Sequence, residues 1–516
     1  MRSKYYFQDR MGLAADNGQS AMGNGPGGLE EYVALFRSEP LSQGGLVWEW
    51  NNHGLLKKEG DLEYFAYGGD FGDEPNDADF IMDGLTLSDH TPMPSLLEYA
   101  KIIQPVTVRL TEDSSQMVVT NHYDFVDLSG LNVFWHMVYD GRTTNRTELT
   151  LPRVPAGENR TVDLPLNIDD VSQEAWLTIE FELKENRIWA DQGHIVAWDQ
   201  LYLPGTSVQR SMAAVGRAVS PSARQAGLQV TQDRAKLNIT TGGTAFGFDL
   251  LQGNVTWEVD GVSMFQQGPE LYFYRAMTQN DEASAGDGVE WDAAKVGMMH
   301  TQVRDVTWSQ SENGVTVHFQ IRVAPKVLEW GVEADLIYTV STGDPAIRVQ
   351  ARGEFVGKNT PSVVPRIGLM AVMSKEFSDV SWFGRGPGEN YKDSKQACRM
   401  GRYESTVEDL FTYYDYPQEN GNREDLRWLQ VSNGEVTLDV RRADEGASFS
   451  FTAGRYMPFD LNDAKHPHDL NPLNVTVLNL DYDNHGLGSA TVGPKPFEKY
   501  KCRTEPFDFT FVMSLA

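Results

Sequence analysis

The chain has 516 residues, 40% of them apolar, and 73 acidic against 44 basic side chains leave it at −29. At roughly 100–200 residues per domain, that length supports about three domains with sizeable cores. So acidic a chain repels phosphates, which argues against nucleic acid or anionic lipid as a partner and favours a neutral ligand. The two cysteines, Cys398 and Cys502, make no disulfide framework and read as buried free thiols of a reducing compartment. No apolar run approaches the roughly 18 residues of a membrane span. The first twenty residues carry basic side chains but no apolar h-region, so they do not read as a secretory signal, and a cytoplasmic location is expected. Sequons at Asn145, Asn159, Asn238, Asn254 and Asn474 then go unused.

Residues 1–20 show no clear period. Beyond the glycine-rich stretch Gly23 to Gly28, Leu29, Tyr32, Val33 and Phe36 fall at i, i+3, i+4 and i+7, which predicts a helix. The apolar run Leu46-Val47-Trp48, bounded by Gly44-Gly45 and Asn51-Asn52, predicts a buried strand. Residues 61–94 are rich in Gly, Asp and Pro and read as a long functional loop, and Ser95 to Ile103 as a second helix. From Val106 the texture changes to strands: Val106–Leu110 alternates, and Trp176–Leu183 fills two faces. About 100 residues built this way suit an immunoglobulin-like sandwich. Ser207 to Gly227 is small, polar and basic and reads as a linker. The region beyond it is all strand, with Val315–Val323, Val436–Val440, Ser448–Thr452 and Phe507–Met513 alternating, which fits a larger sandwich of two facing sheets.

Several segments occur together in one order: Ala21-Met22-Gly23-Asn24 running into Gly27-Gly28, Gly44-Gly45-Leu46-Val47-Trp48-Glu49-Trp50, Tyr67-Gly68-Gly69-Asp70-Phe71-Gly72-Asp73 and Pro75-Asn76-Asp77. Trp382-Phe383-Gly384-Arg385-Gly386-Pro387-Gly388-Glu389-Asn390-Tyr391 and Pro417-Gln418-Glu419-Asn420-Gly421 follow. The ordered set resembles the large β-galactosidases of glycoside hydrolase family 2, over roughly residues 21–516. The resemblance implies a mainly β chain. Residues 21–103 would be the last part of a (β/α)8 catalytic barrel, behind a non-matching segment 1–20. Residues 104–206 would be the immunoglobulin-like sandwich, 207–227 the linker, and 228–516 the large sandwich known as the small-chain domain. Two strands' worth of a barrel leaves unpaired edges, so a poorly packed segment before residue 104 is expected.

The activity implied is hydrolysis of terminal β-D-galactosides such as lactose by a retaining mechanism. That chemistry needs two carboxyl groups about 5–5.5 Å apart. The resemblance puts the acid in an upstream barrel strand and the nucleophile at a Glu position that here carries Asn17, with Ser20 in place of the motif's His. Asn is a poor nucleophile, so the chain alone is expected to be inactive. It would otherwise act as a non-catalytic subunit completing a separate barrel chain, or as a carbohydrate-binding sandwich protein. Trp48 matches an apolar wall for galactose, although its position in a barrel strand alone would make it a core residue. Val492 aligns where bacterial members carry a Trp that faces the second sugar. Phe80 and Asp83 match two oxygen ligands of a monovalent cation, Na⁺ or K⁺, the second position often being Asn in bacterial members. The family's Mg²⁺ site has no counterpart here, and family members usually assemble into oligomers. Gly23-x-Gly25-x-x-Gly28 lacks the preceding strand of a dinucleotide site. His466-Pro467-His468-Asp469 lacks further ligands for a metal, and Glu49, pointing opposite Trp48 on an alternating strand, reads as structural.

Overall fold

The computed structural model describes residues 23–42, 44–167, 171, 173–205, 227–342, 346–444 and 446–516. Asn17 and Ser20, the segment 1–20 and nearly all of the expected linker 207–227 lie outside the described residues.

The first helix forms where the period places it, at Leu29–Ser38, with Glu30 and Glu31 in its first turn and Arg37 in its last, each at the end of the helix dipole that suits its charge. It packs against a second helix, Pro94–Ile102, which begins with Pro in its first turn, where a missing N–H costs nothing. Between them the structure departs from expectation. Leu46-Val47-Trp48 is not a buried strand: Leu46, Trp48 and Trp50 are 73%, 59% and 63% exposed. A strand needs a neighbour for its N–H and C=O groups. Among the described residues this stretch has only a single parallel bridge, Asn51 to Thr86. The expected long loop begins instead as a hairpin, Leu55–Glu59 against Leu62–Ala66, turned at Gly60 with φ 66°.

The middle unit has two antiparallel sheets. One joins Val106–Leu110, Gln116–Asn121 and Asn159–Asp163; the other joins Ile195–Leu203, Ala175–Leu183 and Leu131–Tyr139 with two short strands. Val106, Val119, Leu177, Ile179 and Phe181 fill the space between them. Ala175–Leu183 is buried on both faces for a structural reason. Its outer face meets the large sandwich, where Trp176 packs edge-on against Phe383 with ring centroids 5.6 Å apart, beside Val138, Met400 and Trp428.

The third unit opens with a five-stranded meander between Gln229 and Phe265. A nine-stranded antiparallel sheet then faces a five-stranded one made of Gln267–Tyr272, Arg366–Ser374, Val475–Asn484, Phe449–Gly454 and Arg423–Leu426. Alternate residues of Gly314–Pro325, namely Val315, Val317, Phe319, Ile321 and Val323, enter one continuous core with Tyr338, Phe451, Leu480 and Phe511. Both cysteines are free and buried. No helix among the described residues is long and apolar enough to cross a membrane.

The segment before residue 104 is packed unevenly. The apolar side chains of 41–56 face out, whereas residues 23–28, Asn52, Met82 to Thr86 and Met93 are buried against the rest of the chain.

Candidate functional site

Four loops from distant parts of the sequence meet where the N-terminal strap 23–28 crosses the large sandwich. Asn24 donates its side-chain amide to the Glu419 carbonyl at 2.9 Å, and its backbone N–H to Gln418 Oε1 at 3.1 Å. Asn280 binds two loops at once, donating Nδ2 to the Gly488 carbonyl at 3.0 Å and to the Gly25 carbonyl at 3.4 Å. Its Oδ1 accepts from the Thr491 N–H at 3.1 Å and the Thr491 hydroxyl at 2.8 Å. Asp393 accepts the N–H groups of Leu487 and Gly488, both at 2.9 Å, and so holds the loop that carries Val492. Gly27 is glycine for a reason of space: a Cβ there would lie 2.4 Å from Gly488 N and 2.5 Å from Asp393 Oδ2. Beneath these loops the buried Arg275 pairs with Asp281 at 3.1 Å and donates to Asn484 and to the carbonyls of His485 and Gly486.

Asp415 anchors a second junction. Its Oδ2 accepts from Asn52 Nδ2 at 2.9 Å, Ser88 N at 3.0 Å and Ser88 Oγ at 2.7 Å. Asn52 in turn accepts the Gly84 N–H at 3.0 Å, and the Trp50 carbonyl accepts from Leu85 and Thr86 at 3.0 and 3.1 Å. This places the Trp48-Glu49-Trp50 stretch beside the turn that holds Asp83.

Asp83 is buried, and its Oδ1 accepts no hydrogen bond. Burial first, and then a hydrogen bond and repulsion from Glu49, push its carboxyl up to about 7. Glu49 lies 3.2 Å from His53. Glu49 therefore faces Asp83. A buried carboxylate oxygen without a donor fits a cation ligand. Phe80 sits in the adjoining turn, donating its N–H to Asp77 at 3.1 Å, with its ring half exposed. Among the described residues no group of three or more His, Cys, Asp or Glu is placed to hold a metal ion.

Trp48 stands open on the surface next to this pair, and Val492 is half buried in a turn closed by its N–H to the Ser489 carbonyl at 3.3 Å. His466 and His468 stack with ring centroids 5.2 Å apart, and His466 Nε2 meets Asp70 at 3.1 Å. The pair clamps the hairpin side of residues 64–70 and offers no metal geometry among the described residues. The residues that assemble the site, Asn24, Asn52, Asn280, Asp393, Asp415 and Gln418, had no assigned role in the sequence reading. Asn24 and Gln418 both stand in motifs of the sequence, but nothing in those motifs says where they point.

Three families match successive parts of the chain: "Glycosyl hydrolases family 2, TIM barrel domain" over residues 17–108, "Beta-galactosidase, domain 4" over 117–204, and "Beta galactosidase small chain" over 240–513. The chain is similar to the β-galactosidase of Kluyveromyces lactis, 31% identical over 503 residues, which cover 95% of this chain and 46% of that one. It is similar to those of an Arthrobacter species, 30% identical with 94% and 48% covered, and Actinobacillus pleuropneumoniae, 28% identical with 95% and 46% covered. The chain spans about half the length of these relatives.

Proposed function

We propose, for a chain that belongs to the β-galactosidase small-chain family of the glycoside hydrolases, that it forms the sugar-facing and supporting part of a site that hydrolyses terminal β-D-galactosides. The observation that carries this reading is the open indole of Trp48 beside the Glu49–Asp83 pair. An exposed aromatic face offers the C–H side of galactose an apolar wall, and polar loops around it can take the hydroxyls. Val492, on the loop that Asp393 and Asn280 hold, is assigned to the side of the second sugar. Phe80 and Asp83 are assigned to a Na⁺ or K⁺ ion whose charge would favour the ionised form of Asp83.

Glu49 and Asp83 do not serve as the hydrolytic pair. Asp83 is buried with Glu49 against it, whereas a retaining pair stands about 5–5.5 Å apart with the anomeric carbon between them. The acid and the nucleophile are assigned to residues outside 23–516. The free apolar surface of Leu46, Trp48, Trp50, Leu55 and Leu56 favours a barrel-bearing surface, in cis or from a second chain, as what covers this face. A cytoplasmic location and assembly into oligomers belong to the same reading.

The test uses a nitrophenyl β-galactoside with the purified chain, alone and mixed with a separately produced barrel-containing chain. Turnover in the mixture that falls at least about tenfold with Trp48→Ala, a loss of about 1.4 kcal/mol of transition-state binding, supports the proposal. A mixture without turnover, together with no galactose binding to the chain, would refute it.

A further inference from the structure

The five-stranded sheet of the large sandwich has an inner and an outer face. Leu369, Ala371, Phe451, Ala453, Leu478 and Leu480 point into the core. Alternate residues of the same strands point the other way. Thr452 pairs across the ladder with Asn479, and Gly454 with Val477. The stretch 411–421 and the helix Pro458–Asp463 roof this outer face and leave a cavity of about 50 Å³, with Arg366 in its wall.

The polar groups in that wall are only partly used. Arg366 is 2% exposed. Its Nη2 donates to Glu419 Oε1 at 3.3 Å, whereas Nε and Nη1 reach no hydrogen-bond acceptor and Nη1 stands 3.7 Å from Asp481 Oδ1. Asn479, 8% exposed, spends Nδ2 on the Thr452 hydroxyl at 3.0 Å and leaves Oδ1 without a donor. Buried polar groups are normally satisfied. Arg366 Nε and Asn479 Oδ1, a donor and an acceptor without partners on residues that line one cavity, ask for a ligand that both accepts and donates.

Three features narrow the ligand class. The guanidinium charge is offset by Glu419, so an anion gains no net attraction. The rim is aromatic: Phe411 lies 5.1 Å from Tyr456 and 4.7 Å from Tyr413, and Tyr413 is 53% exposed and carries the aromatic surface outward. A cavity of this size takes only a few waters at about 10–15 Å³ each, so one edge of a ring enters and the ring stays at the mouth. We propose that this cavity binds the hydroxyl edge of a neutral pyranose, whose C–H face rests on Phe411 and Tyr456. The hydroxyls would accept from Arg366 and donate to Asn479 and Glu419. This site lies on the large sandwich and does not depend on Trp48.

The test titrates methyl β-D-galactopyranoside and methyl β-D-glucopyranoside into the full chain carrying Trp48→Ala, followed by saturation-transfer NMR and calorimetry. Gly454 lines the cavity, and a Cβ built on it meets nothing within 4 Å, so Gly454→Leu fills the space without disturbing Arg366. Saturable binding that weakens at least about tenfold with Gly454→Leu, and likewise with Tyr456→Ala at the rim, is the expected result. If Gly454→Leu loses its near-ultraviolet dichroism, Tyr456→Ala alone decides. Absence of sugar binding, binding that neither variant weakens, or displacement of the sugar by acetate or phosphate at matched ionic strength would each overturn the proposal.

Discussion

Asp415 offers a direct test of how the N-terminal segment is held. One carboxylate oxygen accepts three hydrogen bonds, from Asn52 Nδ2, Ser88 N and Ser88 Oγ. In Asp415→Ala all three donors lose their acceptor at a site where Asn52 and Ser88 are buried. Hydrogen bonds to a charged group contribute roughly 1.5–3 kcal/mol each, and three on one oxygen are not additive, so the loss comes to about 3–4 kcal/mol. That cost falls on the junction and not on the sandwich, whose core includes none of these residues. The expected outcome is local opening. In native-state hydrogen exchange, protection of the Asn52, Gly84, Leu85 and Thr86 amides drops by a factor on the order of 100–1000, while the strands Gly314–Pro325 and Gly331–Ser341 keep theirs. Asp415→Asn, which keeps one acceptor oxygen and loses the charge, falls between. Unchanged protection at 84–86, or an equal drop in the sandwich strands, would refute the reasoning.

Three further outcomes are expected. Asp83, held up at about 7 by burial and by Glu49, has a folded-state pKa above that of the open chain. Its contribution to stability is therefore complete at low pH and lost as pH rises through about 7; exchange at Met82 to Thr86, corrected for intrinsic rate, should accelerate between pH 5 and 8, and Asp83→Asn should flatten the profile. Gly27→Ala forces a Cβ against the backbone of Gly488, so overpacking of about 1–3 kcal/mol is expected, read as faster proteolysis within 23–28 with the sandwich melting unchanged. Cys398 is pushed up to about 11 by burial, and the fully buried Cys502 well above its ordinary value; a thiol reagent should label neither in the native chain and both in denaturant.

How far the sequence reveals this molecule depends on the range of each interaction. The helix Leu29–Ser38 and the strands Ala175–Leu183, Gly314–Pro325 and Phe507–Leu515 are legible because their periods are set by near neighbours. Leu46-Val47-Trp48 shows the limit of that signal. An apolar run states which side chains favour burial, not whether a surface is present to bury them, and here the run lies open. Glu49 is a related case: alternation along a strand made it structural, whereas off a strand it turns to Asp83. The residues that build the site were not legible for another reason. Asn52 finds Asp415 across 363 positions and Asn24 finds Glu419 across 395. Each is a single polar residue in a loop, with no period, and its partner is fixed only by the register of sheets between them.

The same contrast bears on how this chain would meet a barrel. Residues 23–103 are attached to the sandwiches through polar junctions at Asn24, Asn52, Glu98 and Lys101, the last two reaching the backbone of Gln396 and Ala397 and the side chain of Asp199. Their apolar side chains at Leu46, Trp48, Trp50, Leu55 and Leu56 take no part in that attachment. Polar junctions fix orientation at modest net gain, because each exchanges a bond to water for a bond within the protein. Apolar burial supplies the larger driving force, and here it remains unspent on the face that carries Trp48. Under the proposed function, such an arrangement would present the aromatic face in a set orientation and leave its burial to drive association with a barrel. Trp50→Ser should then leave the isolated chain's melting unchanged, the side chain being mostly exposed, yet weaken capture by a barrel-containing chain in sedimentation measurements by about 1.5–3 kcal/mol, the transfer value of one large apolar side chain. Equal capture by both forms would show that this face is not the one that associates.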